Sequence, residues 1–315
     1  MKKKKIFGNT FKEQLKATSR DRLIHFTLCN GTVRGALLHA TKIVHEMRAN
    51  HELGILETLI LGHGYIGALL MSSTLKGDDS IAIRIDCDGP AKGFDVEANS
   101  FGEVRGYLFQ KPIPISKPLD SFDLKPFIGS GRMTVTRFLE KAKRPYSGQV
   151  ELAYGTVARD LAYYCTVSEQ LPSTFDLSIK FDSNGIVTGA GGLVVQALPG
   201  AEENDLIDIE DTIGNLPSIG EAFAQARDAE GFLMAEFTRF APHILEQRRA
   251  AFMCHCSRKK FGGYLRQLPL KDLQAIAAEG KDTTVLTCNK CNTRYEYSKV
   301  EIEAIYQDAM NKQNS

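Results

Sequence analysis

Apolar residues recur along this chain with two different periods, and the switches between them outline its elements. Val33, Ala36, Leu37, Ala40, Ile43, Val44 and Met47 fall three or four apart, which predicts one amphipathic helix over residues 32–51. A second helix is expected over about 56–74. Ile81, Ile83, Ile85 and Cys87 then alternate with Ala82, Arg84 and Asp86, the period of a half-buried strand. After the turn signal Asp88-Gly89-Pro90, short strands are expected over 94–97 and 103–108. Beyond Pro112, Pro114, Pro118 and Pro126, segments 133–138 and 149–153 read as strand. Val157, Leu161, Tyr164, Cys165 and Ser168 share one face of a helix over about 156–171. Phe175, Leu177, Ile179 and Phe181 alternate again, and 186–198 reads as strand around a glycine bend at Gly189-Ala190-Gly191-Gly192. Strands and helices that do not follow strict βαβ order predict an α+β fold, an N-terminal mixed and largely antiparallel sheet with helices.

Pro199-Gly200 and the acidic run after it mark a boundary. Over 218–250 the periodicity is helical but poor, with Phe223, Phe232, Leu233, Met234, Phe237 and Phe240 crowded among charges and interrupted by Gly231 and Pro242. Such a segment carries enough apolar surface to adhere and enough charge to tolerate water. The last part holds a short helix over 271–278, short strands over 285–287 and 295–297, and a final helix opened by the capping box Ser298 and Glu301. The chain therefore divides into a basic arm (1–20), an α+β core (21–200), a helical linker (201–250) and a small C-terminal domain (251–315).

With 315 residues, 43% of them hydrophobic, the chain can bury a large core and one smaller unit. Its formal charge of +1 conceals segregation: residues 1–20 carry seven Lys/Arg against one acidic side chain, and 202–211 carry six acidic side chains and no basic one. Lys2 to Lys5 are not followed by the apolar stretch a signal peptide needs, and the apolar region 53–71 is broken by Glu57, Gly62, His63 and Gly64. A soluble, cytoplasmic protein with no membrane partner is expected, and its seven cysteines should be reduced there.

Four of those cysteines carry the candidate chemistry: Cys254 and Cys256 in a Cys-x-Cys pair, Cys288 and Cys291 in a Cys-x-x-Cys pair. Two close thiol pairs supply the four soft ligands of a closed tetrahedral zinc site. The 31 residues between the pairs exceed the spacing of common zinc ribbons, which argues against a ribbon but not against a metal. His255 points away from a site formed by its two neighbours. Zinc in such a site contributes about 10–16 kcal/mol to folding, at least the ~5–15 kcal/mol that stabilises a whole domain. The same sulfurs can instead close two local disulfides, which span tiny loops and tie neither half of the unit to the other. Lys290, Arg258 and Lys259 stand near the cysteines in sequence and favour thiolate. Zinc staple and redox switch both remain open on the residues alone.

The other candidates are weaker. Cys29, Cys87 and Cys165 sit in apolar contexts and read as small hydrophobes, and His63 as a core histidine. The glycines at 189–192 lack the Gly-Lys-Ser/Thr of a phosphate loop, and no catalytic constellation is present, so no enzyme is expected. The rival is a nucleic-acid-binding protein with a static zinc module. Residues 251–315 hold ten Lys/Arg and seven Asp/Glu, too weak a basic footprint, so no nucleic-acid partner is expected.

Several segments resemble one family. They are Ser73-Thr74-Leu75-Lys76-Gly77, Asp88-Gly89-Pro90-Ala91-Lys92-Gly93 with Val96-Glu97-Ala98, and Gly102-Glu103-Val104-Arg105-Gly106-Tyr107. Ser147-Gly148-Gln149-Val150, Asp160-Leu161-Ala162-Tyr163-Tyr164, Ser168-Glu169-Gln170-Leu171-Pro172-Ser173, Gly191-Gly192-Leu193-Val194-Val195-Gln196 and Leu198-Pro199-Gly200 continue the series. Cys254-His255-Cys256-Ser257-Arg258 and Cys288-Asn289-Lys290-Cys291-Asn292 complete it. In this order, over about 20–305, the chain is similar to the redox-regulated holdase chaperones, the bacterial heat-shock protein of 33 kDa. The resemblance implies a metastable linker and a C-terminal zinc domain that senses oxidants. It implies that Cys254, Cys256, Cys288 and Cys291 hold one zinc ion in a reduced, inactive form. Oxidation then forms Cys288–Cys291 first and Cys254–Cys256 after it, releases zinc, unfolds the linker and exposes a surface for unfolding clients. A homodimer is implied as the active form, with an ATP-dependent foldase downstream. Phe223, Phe232, Leu233, Phe237 and Phe240 are the candidate client-binding residues. Departures from the family pattern are the lysine-rich start, Cys165 in a segment usually aromatic, and extra length.

Overall fold

The computed structural model describes residues 1–2, 21–115, 121, 123–279 and 281–313. The basic arm expected over 1–20 lies, apart from Met1 and Lys2, outside them. Two compact units result: one from the described residues up to Met253, the other from Cys254 onward with Met1 and Lys2.

In the larger unit, five strands form one sheet: β1 (Arg22–Leu28), β2 (Val33–His39), β8 (Ser173–Phe181), β9 (Val187–Ala197) and β10 (His243–Arg249). Their order is β10-β1-β2-β9-β8, antiparallel throughout. A second sheet holds β3 (Ser80–Cys87), β4 (Gly93–Asn99), β5 (Glu103–Leu108), β6 (Gly131–Phe138), β7 (Tyr146–Glu151) and β11 (Ala251–Phe252), in the order β11-β5-β4-β3-β6-β7. Only β11 with β5 is parallel here. The expected α+β class with largely antiparallel sheets is what forms.

Between the sheets runs α2 (Ile55–Met71), after α1 (Thr41–His51). Helix α2 is apolar nearly all round because it meets strands on both sides: Gly64 lies against the Phe94 ring of one sheet, Gly62 against Ile179 of the other, and Tyr65 donates to the Gly106 carbonyl at 3.0 Å. By length and composition α2 and the turn after it would suffice to cross a membrane, yet 89% of that stretch is buried in the protein, as a core helix should be. Helix α3 (Lys125–Ile128) is a single turn, and α4 (Val157–Ser168) packs Leu161 against Gly67 of α2.

Three expectations need correction. The single helix over 32–51 is a strand and then a helix, because β2 lies between β1 and β9 and buries residues on both faces, a pattern that imitates helical spacing. Helix α1 starts only at Thr41, where the buried Asp21 carboxylate accepts from the amides of Lys42 (3.3 Å) and Ile43 (2.6 Å). The acidic run is α5 (Glu203–Gly214), with Glu203, Asp208, Glu210 and Asp211 toward solvent and Ile209 toward the core, and the helical pattern past 218 ends early. There α6 (Ile219–Ala224) and α7 (Ala229–Glu236) are followed by strand β10, fixed by pairing with β1 rather than by its own sparse apolar residues. Third, 189–192 does not interrupt the strand: β9 is continuous through it, with its pairing irregularity at Thr188, just before. A Cβ on Gly189 would collide with the Gly220 carbonyl and the Ala224 amide, and one on Gly191 with the Phe223 ring. The glycines let α6 lie against the strand.

The smaller unit comprises α8 (Arg258–Arg266), α9 (Leu270–Ala278), the hairpin β12 (Thr283–Thr287) and β13 (Arg294–Ser298), and α10 (Lys299–Gln313). Leu265, Leu273, Tyr295, Tyr297, Ile302 and Ile305 form its core. The capping box forms as expected: the Ser298 amide donates to the Glu301 carboxylate at 2.9 Å and the Glu301 amide to Ser298 Oγ at 3.4 Å. Helix α8 carries too little apolar sequence to be seen in advance; the Ser257 hydroxyl caps it by accepting from the Lys260 amide.

Candidate metal centre

Two turns bring the four sulfurs together. Cys254 and Cys256 lie on the extended segment just before the Ser257 cap of α8. Cys288 and Cys291 lie on the turn joining β12 to β13, which is knotted by its own backbone. There the Cys288 amide donates to the Thr293 carbonyl at 2.9 Å, while the amides of Cys291 and Asn292 both donate to the Cys288 carbonyl at 3.3 and 2.7 Å. Asn292 takes the left-handed conformation at φ 55°, which closes the turn and which asparagine tolerates better than most residues.

All four Sγ atoms lie within 4.8 Å of one another. Across the turns, Cys254 Sγ is 3.9 Å from Cys288 Sγ and Cys256 Sγ is 3.3 Å from Cys291 Sγ. A zinc–sulfur bond of ~2.3 Å sets the edges of a tetrahedron at about 3.8 Å, so this donor set fits zinc in number, softness and spacing. Cys254, Cys288 and Cys291 are buried and Cys256 is partly exposed; His255 is exposed and is not among the clustered groups. The thiols compete for charge. Cys254 is driven far toward thiolate by hydrogen bonds from Cys288 and Cys291, while Cys288 is driven up by its hydrogen bonds with Cys254 and Cys291, and Cys291 rises to about 11. The neighbouring sulfurs, rather than basic side chains, dominate. Arg258, expected to favour thiolate, instead spans Glu301 at 2.8 Å, donates to the Glu296 carbonyl and stacks on Tyr297.

Two site residues escaped the sequence reading. Tyr295 Oη donates to Cys256 Sγ at 3.1 Å, and Thr293 Oγ1 lies 3.2 Å from Cys291 Sγ while accepting from the Lys2 amide at 3.1 Å. The only available signal was their place two and four residues after Cys291.

The remaining thiols are in a different state. Burial raises Cys29 and Cys87 to about 11 and Cys165 to about 12, with a hydrogen bond to Asp205 adding to the effect at Cys29. They stay protonated and unreactive at neutral pH. His63 falls to about 4 by desolvation and is neutral there.

The candidate client-binding residues lie in the larger unit. Phe223, Phe232, Leu233, Phe237 and Phe240 are buried in one cluster with Ile24, Phe26, Leu37, Leu193 and Val195 of the first sheet. Phe237 meets the Phe26 ring with centroids 6.3 Å apart, and Phe223 meets both Phe232 (6.0 Å) and the His39 ring (4.5 Å). In this state none of them is available to a client.

A family model described as "Hsp33 protein" matches residues 21–298. The chain is 34% identical to the 33 kDa chaperonin of Ruminiclostridium cellulolyticum over 91% of its own length and 98% of that relative. Against the 33 kDa chaperonin of Enterococcus faecalis the identity is 30%, covering 92% and 97%. The crystal structure of the 33 kDa chaperonin from Thermotoga maritima superposes with a TM-score of 0.84 at 32% identity, covering 93% of this chain and 99% of that one. With a family match across most of its length, a shared fold and a four-cysteine cluster, this chain belongs to the Hsp33 family of chaperones.

Proposed function

We propose that this chaperone is a holdase switched on by oxidation, with Cys254, Cys256, Cys288 and Cys291 as both zinc ligands and redox centre. One observation carries the proposal: four sulfurs from two turns, 34 residues apart at Cys254 and Cys288, meet within 4.8 Å. Zinc, when bound, supplies the cross-link between the turns and holds the sulfurs as thiolates. Hydrogen peroxide oxidises two thiols to a disulfide and is itself reduced to two waters. Disulfides within each turn, Cys288–Cys291 and then Cys254–Cys256, consume all four ligands and leave the turns unconnected. The six-residue apolar core of the small unit is then its main remaining support.

The linker, 201–250 with its extension to Met253, is the responding element. Helices α6 and α7 have six and eight residues, well short of the ~12–15 at which an isolated helix becomes even marginal, so they exist only while docked on the sheet. Each fully buried phenylalanine there contributes about 1.5–3 kcal/mol to docking, and each becomes adhesive surface once released. The reduced protein is inactive in this scheme. The oxidised one binds unfolding proteins as a homodimer and passes them to an ATP-dependent foldase. A reducing cytoplasm is the compartment that would keep the resting thiols free.

The test measures aggregation of a thermally unfolding protein with the chaperone before and after peroxide at mild heat, while a chelator dye reports zinc. Client protection that rises together with one zinc released per chain is expected. Full protection by reduced, zinc-loaded protein, or none after oxidation, would overturn the proposal.

A further inference from the structure

Cys256 is the one residue of the cluster that is only partly buried, and Tyr295 Oη stands 3.1 Å from its Sγ. A thiolate has no proton, so in the ionised site the phenol must be the donor. The hydroxyl is held in place by the fold. Tyr295 lies on β13, its ring is buried in the core of the small unit, and it packs on Phe261 of α8 with centroids 5.0 Å apart. Phe261 in turn meets Tyr264 edge-on at 5.6 Å. The donor is thus braced by the helix that begins two residues after Cys256.

We infer that Tyr295 is a positioning residue that restrains Cys256, lowering its nucleophilicity and setting how readily the second disulfide, Cys254–Cys256, closes. The inference rests on Cys256 being an oxidisable ligand sulfur. When the Cys256 thiolate attacks hydrogen peroxide, an S–O bond forms as the O–O bond breaks, giving a sulfenic acid at Cys256 and a hydroxide that takes a proton to become water. The Cys254 sulfur then displaces the sulfenic oxygen, which leaves as water, and the disulfide closes. A hydrogen bond to the Cys256 lone pair opposes the first step, because the donated proton withdraws the electron density that must enter the peroxide. Once Cys256 turns toward Cys254, the Tyr295 hydroxyl loses its acceptor inside the core, so the same bond that delays oxidation penalises the core after it.

Tyr295→Phe keeps the ring and removes the donor. Without the donated proton the sulfur is the better nucleophile, and the Cys256 rate should rise about threefold or more. The experiment follows iodoacetamide alkylation of each cysteine by peptide mass spectrometry in reduced, zinc-supplied full-length protein, together with the peroxide-driven oxidation rate. Faster modification of Cys256 alone is expected, with the rates at Cys254, Cys288 and Cys291 unchanged. A merely structural role would raise all four together, and that result, or a Cys256 rate within about twofold of the parent, overturns the inference. Should Tyr295→Phe fail to fold, 3-fluorotyrosine at position 295 decides the matter, since a more acidic phenol is a stronger donor and must slow Cys256. Unchanged or faster reaction there also overturns it. Parent protein that neither holds zinc nor responds to peroxide would end the proposed switch, while the comparison of Cys256 alkylation rates would still read out the Tyr295 bond.

Discussion

Replacing Gly189 by alanine places a methyl group where β9 and α6 touch. Its Cβ would fall inside contact distance of the Gly220 carbonyl oxygen and the Ala224 amide, and 3.1 Å from Ala224 Cα. These are backbone atoms with no rotamer to yield, so α6 must retreat, and with it Ile219, Ala222 and Phe223, all buried in the linker cluster. Overpacking of this kind costs about 1–3 kcal/mol. At about 1.4 kcal/mol per tenfold, the ratio of docked to released linker falls roughly 5- to 150-fold, without a change near any of the four cysteines. Gly231→Ala acts in the opposite direction. It lies inside α7 with no heavy atom within 4 Å of the added methyl, so helix propensity alone applies and the linker gains about 0.5–1 kcal/mol. Hydrogen exchange of residues 219–240 in reduced, zinc-loaded protein, paired with the lag before client protection after peroxide, reads both variants. Gly189→Ala should lose protection and shorten the lag, and Gly231→Ala should gain protection and lengthen it. If exchange in Gly189→Ala matches the parent, the close approach of α6 to β9 does not control docking and the reasoning fails.

Cys288→Ser leaves three sulfurs and should remove most of the ~10–16 kcal/mol that a structural zinc supplies, unfolding residues 254–313 while 21–253 stay folded. Limited proteolysis with mass analysis checks this, and simultaneous loss of both units would contradict it. Stability of the larger unit should also depend on acid. His25 on β1 is held near 4 by burial first and by Arg248 second, with Glu246 opposing, and His63 is likewise near 4. An unfolded histidine takes its proton near 6.5, so between about 6.5 and 4 the unfolded chain binds more protons than the folded one, and stability declines as pH falls through that window. His25→Gln should flatten part of the slope in urea titrations at pH 7, 6 and 5; an unchanged slope would mean that His25 is not neutral in the folded protein.

Period-two spacing located strands β3 to β7 of the second sheet and helical spacing located α4, because in each the buried face repeats at the period of the element itself, while α10 was marked by its capping box. The 32–51 segment misled because a strand buried on both sides has no polar face to mark its period. Strand β10 was hidden because a strand with only Ile244 and Leu245 as large apolar residues is specified by its partner β1, a contact more than two hundred residues away in sequence. At the candidate metal centre the four clustered cysteines were legible, since each pair sits within one short turn and thiol spacing is a local property. Tyr295 was not, for its relation to Cys256 spans 39 residues and exists only once the hairpin folds beside α8.

The sequence by itself determined the α+β class and marked the four cysteines that cluster, because composition and short-range spacing are enough for those. Tertiary structure alone decided that the phenylalanines of 223–240 are covered by the sheet, that Gly189 and Gly191 are where α6 sits down, and that one buried phenol faces the Cys256 sulfur. Close approach between distant segments depends on which surfaces remain apolar after every local element has formed, and no window along the chain contains that information.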